Sequence, residues 1–323
     1  MRKLIALFTV LALLFCFAGC GDSADVGDIT PDGEYPEVTS PESDFECTEV
    51  DDKVYVKYRG SNKNVIIPPV VNGKTVTNID RCFWENETIV SVMIPPTVKE
   101  VSNGAFTRCT SLKTVCLFNG IEAIKIEAFL ECTSLENIVL PETLTQICNS
   151  AFYKCTSLKH ITIPGSVKSI DENAFAFSGL ETVTIENGVE KIGQSAFSKT
   201  QLKELVFPES LKEIATQAFY EISCLESVSL NKGLEEVSTY VFAGSKKITE
   251  IVIPETVNKI NEFTFDNCTA LKKVKFEGDA PEDYSFEFFG DISAVNVSYT
   301  VCYHEGAKGF TSPTWNGYPT EIW

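Results

Sequence analysis

Twelve cysteines and two histidines are the side chains of this 323-residue chain best suited to nucleophilic, redox or metal chemistry. Their spacing argues against most of it. Cys109, Cys132 and Cys155 stand 23 residues apart, Cys268 returns to the same column later, and no CxxC pair of the kind zinc sites use occurs. Such a column suits a small buried residue, because free cysteine packs as a small hydrophobe. Ser178 and Thr200 replace it in two units. Disulfides between neighbouring units are the competing reading, since adjacent units are within bridging distance and export permits oxidation. His160 and His304 lie near no matching motif, and GxSxG, HExxH, GxGxxG, phosphate-binding and calcium loops are all missing. Histidine-based catalysis is therefore poorly supplied, an enzyme is not expected, and no cofactor or metal is expected.

Cys20 has a chemistry of its own. Arg2 and Lys3 precede an apolar run from Leu4 to Phe17, and small residues lead on to Cys20. A charged start, a short apolar core and a small-residue exit describe an export signal. The run is too short for an ordinary membrane span. The ending Phe17-Ala18-Gly19-Cys20 resembles a bacterial lipobox, with Phe17 in place of the usual leucine. That resemblance implies a lipoprotein signal peptide over 1–19 and lipidation of Cys20, which would tie the protein to a membrane. Two or three acyl chains anchor stably where one is marginal. An ordinary signal peptide cut nearby, with Cys20 incidental, is the alternative. Residues 21–52 hold twelve acidic residues, no lysine or arginine, and Pro31, Pro36 and Pro41. This reads as a disordered, self-repelling tether, drawn over 20–44. Residues 21–52 carry −12 of the chain's net charge of −18. The acidity belongs mainly to a spacer and disfavours nucleic acid as a partner.

A second regularity positions everything else. Phenylalanine recurs from Phe83 through Phe106, Phe129, Phe152, Phe175, Phe197, Phe219 and Phe242 to Phe265, at six intervals of 23 residues and two of 22, with Phe288 one interval further. A fixed period in the twenties marks a solenoid, in which each repeat buries its apolar face only against its neighbours. An alternating β-branched triplet such as Ile161-Thr162-Ile163 reads as a short strand with one buried face. Proline often ends it, as at Pro141 and Pro164. The following pair, such as Val167 and Ile170, fits either a second short strand or a tight turn. No segment sustains a 3.6-residue period, so long helices are not expected. The 22-residue intervals lose their residue in a turn, which absorbs a deletion that would swap the faces of a strand. Stacked at strand spacing, the phenylalanines should form a continuous internal spine.

The repeated unit, as in SLKHITIPGSVKSIDENAF, resembles the leucine-rich repeat of BspA-type bacterial surface proteins. Tyr58 to Phe83 is similar to that family's opening repeat, and Tyr303 to Trp323 to its closing segment. Departures are local: Cys82 stands before Phe83 where a small residue is usual, and Phe118 and Glu186 replace the strand-ending proline. The resemblance implies a β-rich, right-handed superhelix of about ten repeats of 22–23 residues, with a parallel sheet on its concave face. The solenoid is drawn over 45–302 and a C-terminal capping segment over 303–323. The resemblance also implies a surface role in binding host or microbial macromolecules.

Within that frame the outward residues are the candidates for binding. The column after the leucines alternates in sign (Lys113, Glu136, Lys159, Glu181, Lys203, Glu226), which suits a solvated ladder that fixes register. The mid-strand column runs Met93, Cys116, Val139, Thr162, Thr184, Val206, Ser229, Val252 and Lys275, and is almost free of charge. It is expected to floor the concave face, with Val139, His160, Thr162, Thr182, Thr184, Val206 and Ser229 as the binding residues. Strand propensity alone also explains these residue types. Trp315, Tyr318 and Trp323 are expected to cap the last rung. The functional expectation is a lipid-anchored, adhesin-like scaffold whose partner is a surface protein or a glycan. A carbohydrate-capturing or envelope-structural lipoprotein is the alternative.

Overall fold

The computed structural model describes residues 31–284 and 299–323. The signal peptide, Cys20, the first part of the tether and Phe288 lie outside the described residues.

Each repeat contributes two short parallel strands and one turn, and their stacking makes a β-solenoid of about eleven turns. The triplets form a broad ladder that includes Ser91–Ile94, Thr114–Leu117, His160–Ile163, Thr182–Ile185, Glu250–Ile253 and Lys273–Phe276. The pairs whose identity the sequence left open are strands of two residues, such as Gln146–Ile147 and Ser169–Ile170. They form a narrow parallel ladder that opens on the antiparallel hairpin Phe45–Val50/Lys53–Tyr58. The register holds across the first shortened repeat, where His160 pairs with Thr182 and Ile163 with Ile185. The deletion sits in the turn, where a Cβ on Gly179 would lie 2.0 Å from the Thr156 carbonyl oxygen. Only glycine lets the rungs close there.

The third wall of the solenoid is the turn that carries the phenylalanine. The residues two before and two after it take left-handed φ, as at Glu127 (58°) and Glu131 (57°), or Asn173 (56°) and Phe177 (59°). These reversals turn the backbone N–H groups toward the next rung. Phe106 donates to Ala128 O at 2.8 Å, Phe129 to Ala151 O at 2.8 Å, and Phe152 to Ala174 O at 2.7 Å. This third hydrogen-bond ladder offsets the conformational cost of the left-handed residues.

The rings of Phe83 through Phe265 are buried, and successive centroids lie 5.0 to 5.9 Å apart with interplanar angles of 3° to 12°. That spacing follows from the rung repeat and falls where offset stacking is favourable. Tyr58 and Phe45 extend the stack into the hairpin.

None of the ten cysteines from Cys47 to Cys302 is in a disulfide in the structure. The thiols of Cys109, Cys132, Cys155 and Cys268 donate to the carbonyls of Phe83, Phe106, Phe129 and Phe242 in the preceding rung, at 2.9 to 3.3 Å. Ser178 and Thr200 fill the same buried column without that bond: the Thr200 hydroxyl donates instead to Phe197 O in its own turn at 2.9 Å, and the Ser178 hydroxyl has no partner among the described residues, so small size is what the column selects. Burial pushes the Cys82, Cys132 and Cys155 thiols well above the ordinary thiol range, and Cys268 up to about 12. These groups stay protonated and are poor nucleophiles.

At the far end Trp315 and Tyr318 are buried, and the Trp315 indole N–H donates to Gly309 O at 2.9 Å. The capping segment is itself a rung, because Tyr318–Ile322 pairs in parallel with Thr300–Tyr303. The boundary drawn at 302 therefore falls inside a strand. Trp323 departs from the expected cap, being 41% exposed and stacked on His304 at 4.6 Å.

Candidate functional site: the open strip of the broad ladder

Strand alternation puts His160 and Thr162 on the outer surface and Ile161 and Ile163 in the core. In the next rung Thr182 and Thr184 face outward beside them. His160 Nδ1 lies 2.7 Å from Thr182 Oγ1, so one imidazole edge is spent on its neighbour. Val206 follows, 59% exposed, and its registered partner Ser229 is also exposed. The structure thus brings His160, Thr162, Thr182, Thr184, Val206 and Ser229 onto one surface.

Both ends of the expected floor are closed. Met93 and Cys116 are buried, at 1% and 5% exposure, by a segment assigned to the tether. Residues 31–44 are not a free spacer: they lie across the first rungs of the broad ladder. The Tyr35 ring meets Phe118 edge-on at 5.1 Å, and its hydroxyl donates to Ile67 O at 2.5 Å and Met93 O at 3.3 Å. Burial pushes the Tyr35 phenol far above its usual range. Ser40 caps the sheet's first strand, donating its N–H to Ile66 O at 2.9 Å and accepting the Ile66 N–H at 3.0 Å. Asn119 N–H donates to Pro31 O at 3.0 Å, and the Asn119 amide bonds the Asp32 carboxylate. The physical reason is a match that composition does not register. Phe118, in place of the usual proline, leaves an apolar patch with Met93 and Cys116, and one tyrosine covers it. Val139 packs half-buried against the same cluster and stands at the margin of the open surface rather than on it.

The opposite end is closed by charge. Lys275 Nζ lies 2.6 Å from Glu250 Oε1 and 4.9 Å from the Trp323 ring centroid, and Lys273 pairs with Glu321 at 2.9 Å. The uncovered strip therefore runs from Thr162 through Thr184 and Val206 to Ser229, with Val252 half-buried beyond it. Its border is the charge column, in which Glu181 reaches Lys159 at 3.5 Å and Lys203 at 3.7 Å. These exposed pairs contribute little stability but hold the border side chains in place. Among the described residues no cluster of three metal-ligating side chains occurs, and no helix is long and apolar enough to cross a membrane. The strip presents small hydroxyls, one valine and flat sheet backbone, which suits contact over an area rather than attack on a bond.

A family model for the BspA type leucine rich repeat region matches residues 77–203 and 190–304, in six copies. The chain belongs to the BspA-type leucine-rich-repeat family. Among solved structures, this BspA-type chain is similar in fold to a leucine rich repeat protein of T. pallidum. The two are 22% identical, with 72% of this chain and 91% of that one covered and a TM-score of 0.50. A leucine rich cell surface protein of Faecalibacterium prausnitzii matches at 22% identity over 84% of this chain and 96% of that one, with a TM-score of 0.41. The pneumococcal vaccine antigen PcpA matches at 20% over 81% and 92%, with a TM-score of 0.43. No curated protein matches the BspA-type chain.

Sequence reasoning found the strip but missed its limits. Tyr35 was the available signal: it is the one aromatic residue between Gly19 and Phe45. An aromatic ring in an otherwise polar spacer has apolar area to bury.

Proposed function

We propose that this BspA-type chain is an exported, lipid-anchored scaffold that holds a macromolecular partner on the open strip of its broad ladder. The observation that carries the reading is the run Thr162, Thr184, Val206, Ser229. It is exposed and uncharged, bordered by paired charges, and left bare by an N-terminal segment that covers the rungs before it. A mid-strand row without charge lets a partner's backbone or sugar rings approach closely. Adhesion to a surface protein or capture of a glycan both use such a face. The lipobox-like sequence before Cys20 supports membrane attachment, with the part of the acidic segment before residue 31 as spacer.

Probing extracellular-matrix protein and glycan arrays with the protein tests the reading. Protein hits favour adhesion and glycan hits favour capture. A strip variant carrying Thr184→Glu and Val206→Glu should lose either kind of hit. Silence on both arrays would contradict the proposal.

A further inference from the structure

We propose a second site: a cleft on the narrow ladder that binds a neutral sugar of one or two rings. It goes beyond the function proposed for the broad ladder, because it lies on a different sheet. The hairpin Phe45–Val50/Lys53–Tyr58 starts the narrow ladder, and Thr48 stands directly across from Tyr55, whose neighbour in the next rungs is Asn78 and then Glu100. Here the surface forms a cleft of about 560 Å³. That is the size range of small-ligand sites.

Its lining has the chemistry of sugar recognition. Tyr55 and Val50 supply apolar surface for the C–H face of a ring. Asp80 and Asn103 supply a carboxylate and an amide, which together accept from and donate to adjacent hydroxyls. Among the described residues neither side chain hydrogen-bonds or ion-pairs with another, nor do the hydroxyls of Thr48 and Ser102 that line the same cleft. Glu100 and Lys125 in the same lining are tied to each other at 3.5 Å, as Glu131 is to Arg108 at 3.1 Å and Lys154 at 3.0 Å elsewhere, which leaves Asp80 and Asn103 as the groups available to a ligand. The formal charges of the lining cancel, with Lys57 and Lys125 against Asp80 and Glu100. A balanced lining favours a neutral ligand over a phosphorylated or acidic one.

Saturation-transfer NMR on the intact protein tests this, with glucose, galactose, mannose, N-acetylglucosamine, cellobiose and lactose as probes at millimolar concentration. At least one probe should receive saturation at its ring protons, and glucose 1-phosphate should compete no better than glucose. Asp80→Ala and Asn103→Ala, both exposed and outside the strands, should each weaken binding on the order of tenfold. The Thr184→Glu, Val206→Glu strip variant should leave it unchanged. Three results would overturn the proposal: no transfer to any probe, undiminished transfer in the Asp80→Ala, Asn103→Ala double variant, or loss caused only by the strip variant.

Discussion

Tyr35 covers Cys116 and the cysteine column lies deeper, so thiol reactivity reports both features. Tyr35→Ala should raise the alkylation rate of Cys116 on the order of tenfold or more, since access limits the reaction there, and leave Cys109 unchanged. Peptide mass spectrometry after timed labelling reads this directly; equal rates in both proteins would mean that the N-terminal segment does not seat on the ladder. The buried thiols also set a pH dependence. The folded pKa values of Cys132, Cys155 and Cys268 lie above the ordinary 9.0, with Cys268 at about 12, so the unfolded chain loses protons first as pH rises. The unfolded state then binds fewer protons than the native state, and stability falls with pH above the ordinary thiol range. Thermal midpoints should decline between pH 9 and 12, and replacing Cys132, Cys155 and Cys268 with alanine should flatten part of the decline. Tyr299 and Tyr318, pushed up to about 12 by burial, contribute in the same direction.

The repeat turns obey a substitution rule that the strands do not. Where proline ends the triplet, its carbonyl accepts from the residue three later, as in Val167 N–H to Pro164 O at 3.0 Å. In two rungs that lack the proline, Asn-Gly appears instead, and Gly120 and Gly188 take φ of 122° and 123°. A Cβ on Gly188 would also lie 2.1 Å from Gly165 O. Gly188→Ala should therefore lower the thermal midpoint clearly, whereas Ser166→Ala, in a proline-started turn, should change it little. Phe152→Ala removes a buried ring from the middle of the spine and should cost about 3–5 kcal/mol by denaturant unfolding. The period, both buried faces and the shortened turns were legible in the sequence, because each repeats and so is measured many times. The strand character of pairs such as Ser169–Ile170 was not, because two residues show no periodicity. The seat of Tyr35 was not either: a contact made once, between residues 83 apart in the chain, leaves no pattern to read.

At the scale of the molecule, the solenoid explains stability by nearest-neighbour contacts and leaves function to what varies along its walls. The broad ladder is closed by Tyr35 at one end and by Lys275, Glu250 and Trp323 at the other. Between them the mid-strand row Thr162, Thr184, Val206 and Ser229 stays open, and the proposed partner would lie there. The remote end of the chain has its own expected outcome: Cys20→Ala should shift the protein from the membrane fraction to the soluble fraction, and an unchanged distribution would remove the lipid anchor from the account. The central claim, that the strip is the binding face, is tested most directly by the affinity of the array-identified ligand for three proteins. These are the unaltered chain, the Thr184→Glu, Val206→Glu variant, and a control, Gln146→Glu, on the narrow ladder. The account predicts that the strip variant loses affinity on the order of tenfold or more, about 1.4 kcal/mol, while the control binds as the unaltered chain does. Equal affinity across all three would contradict it.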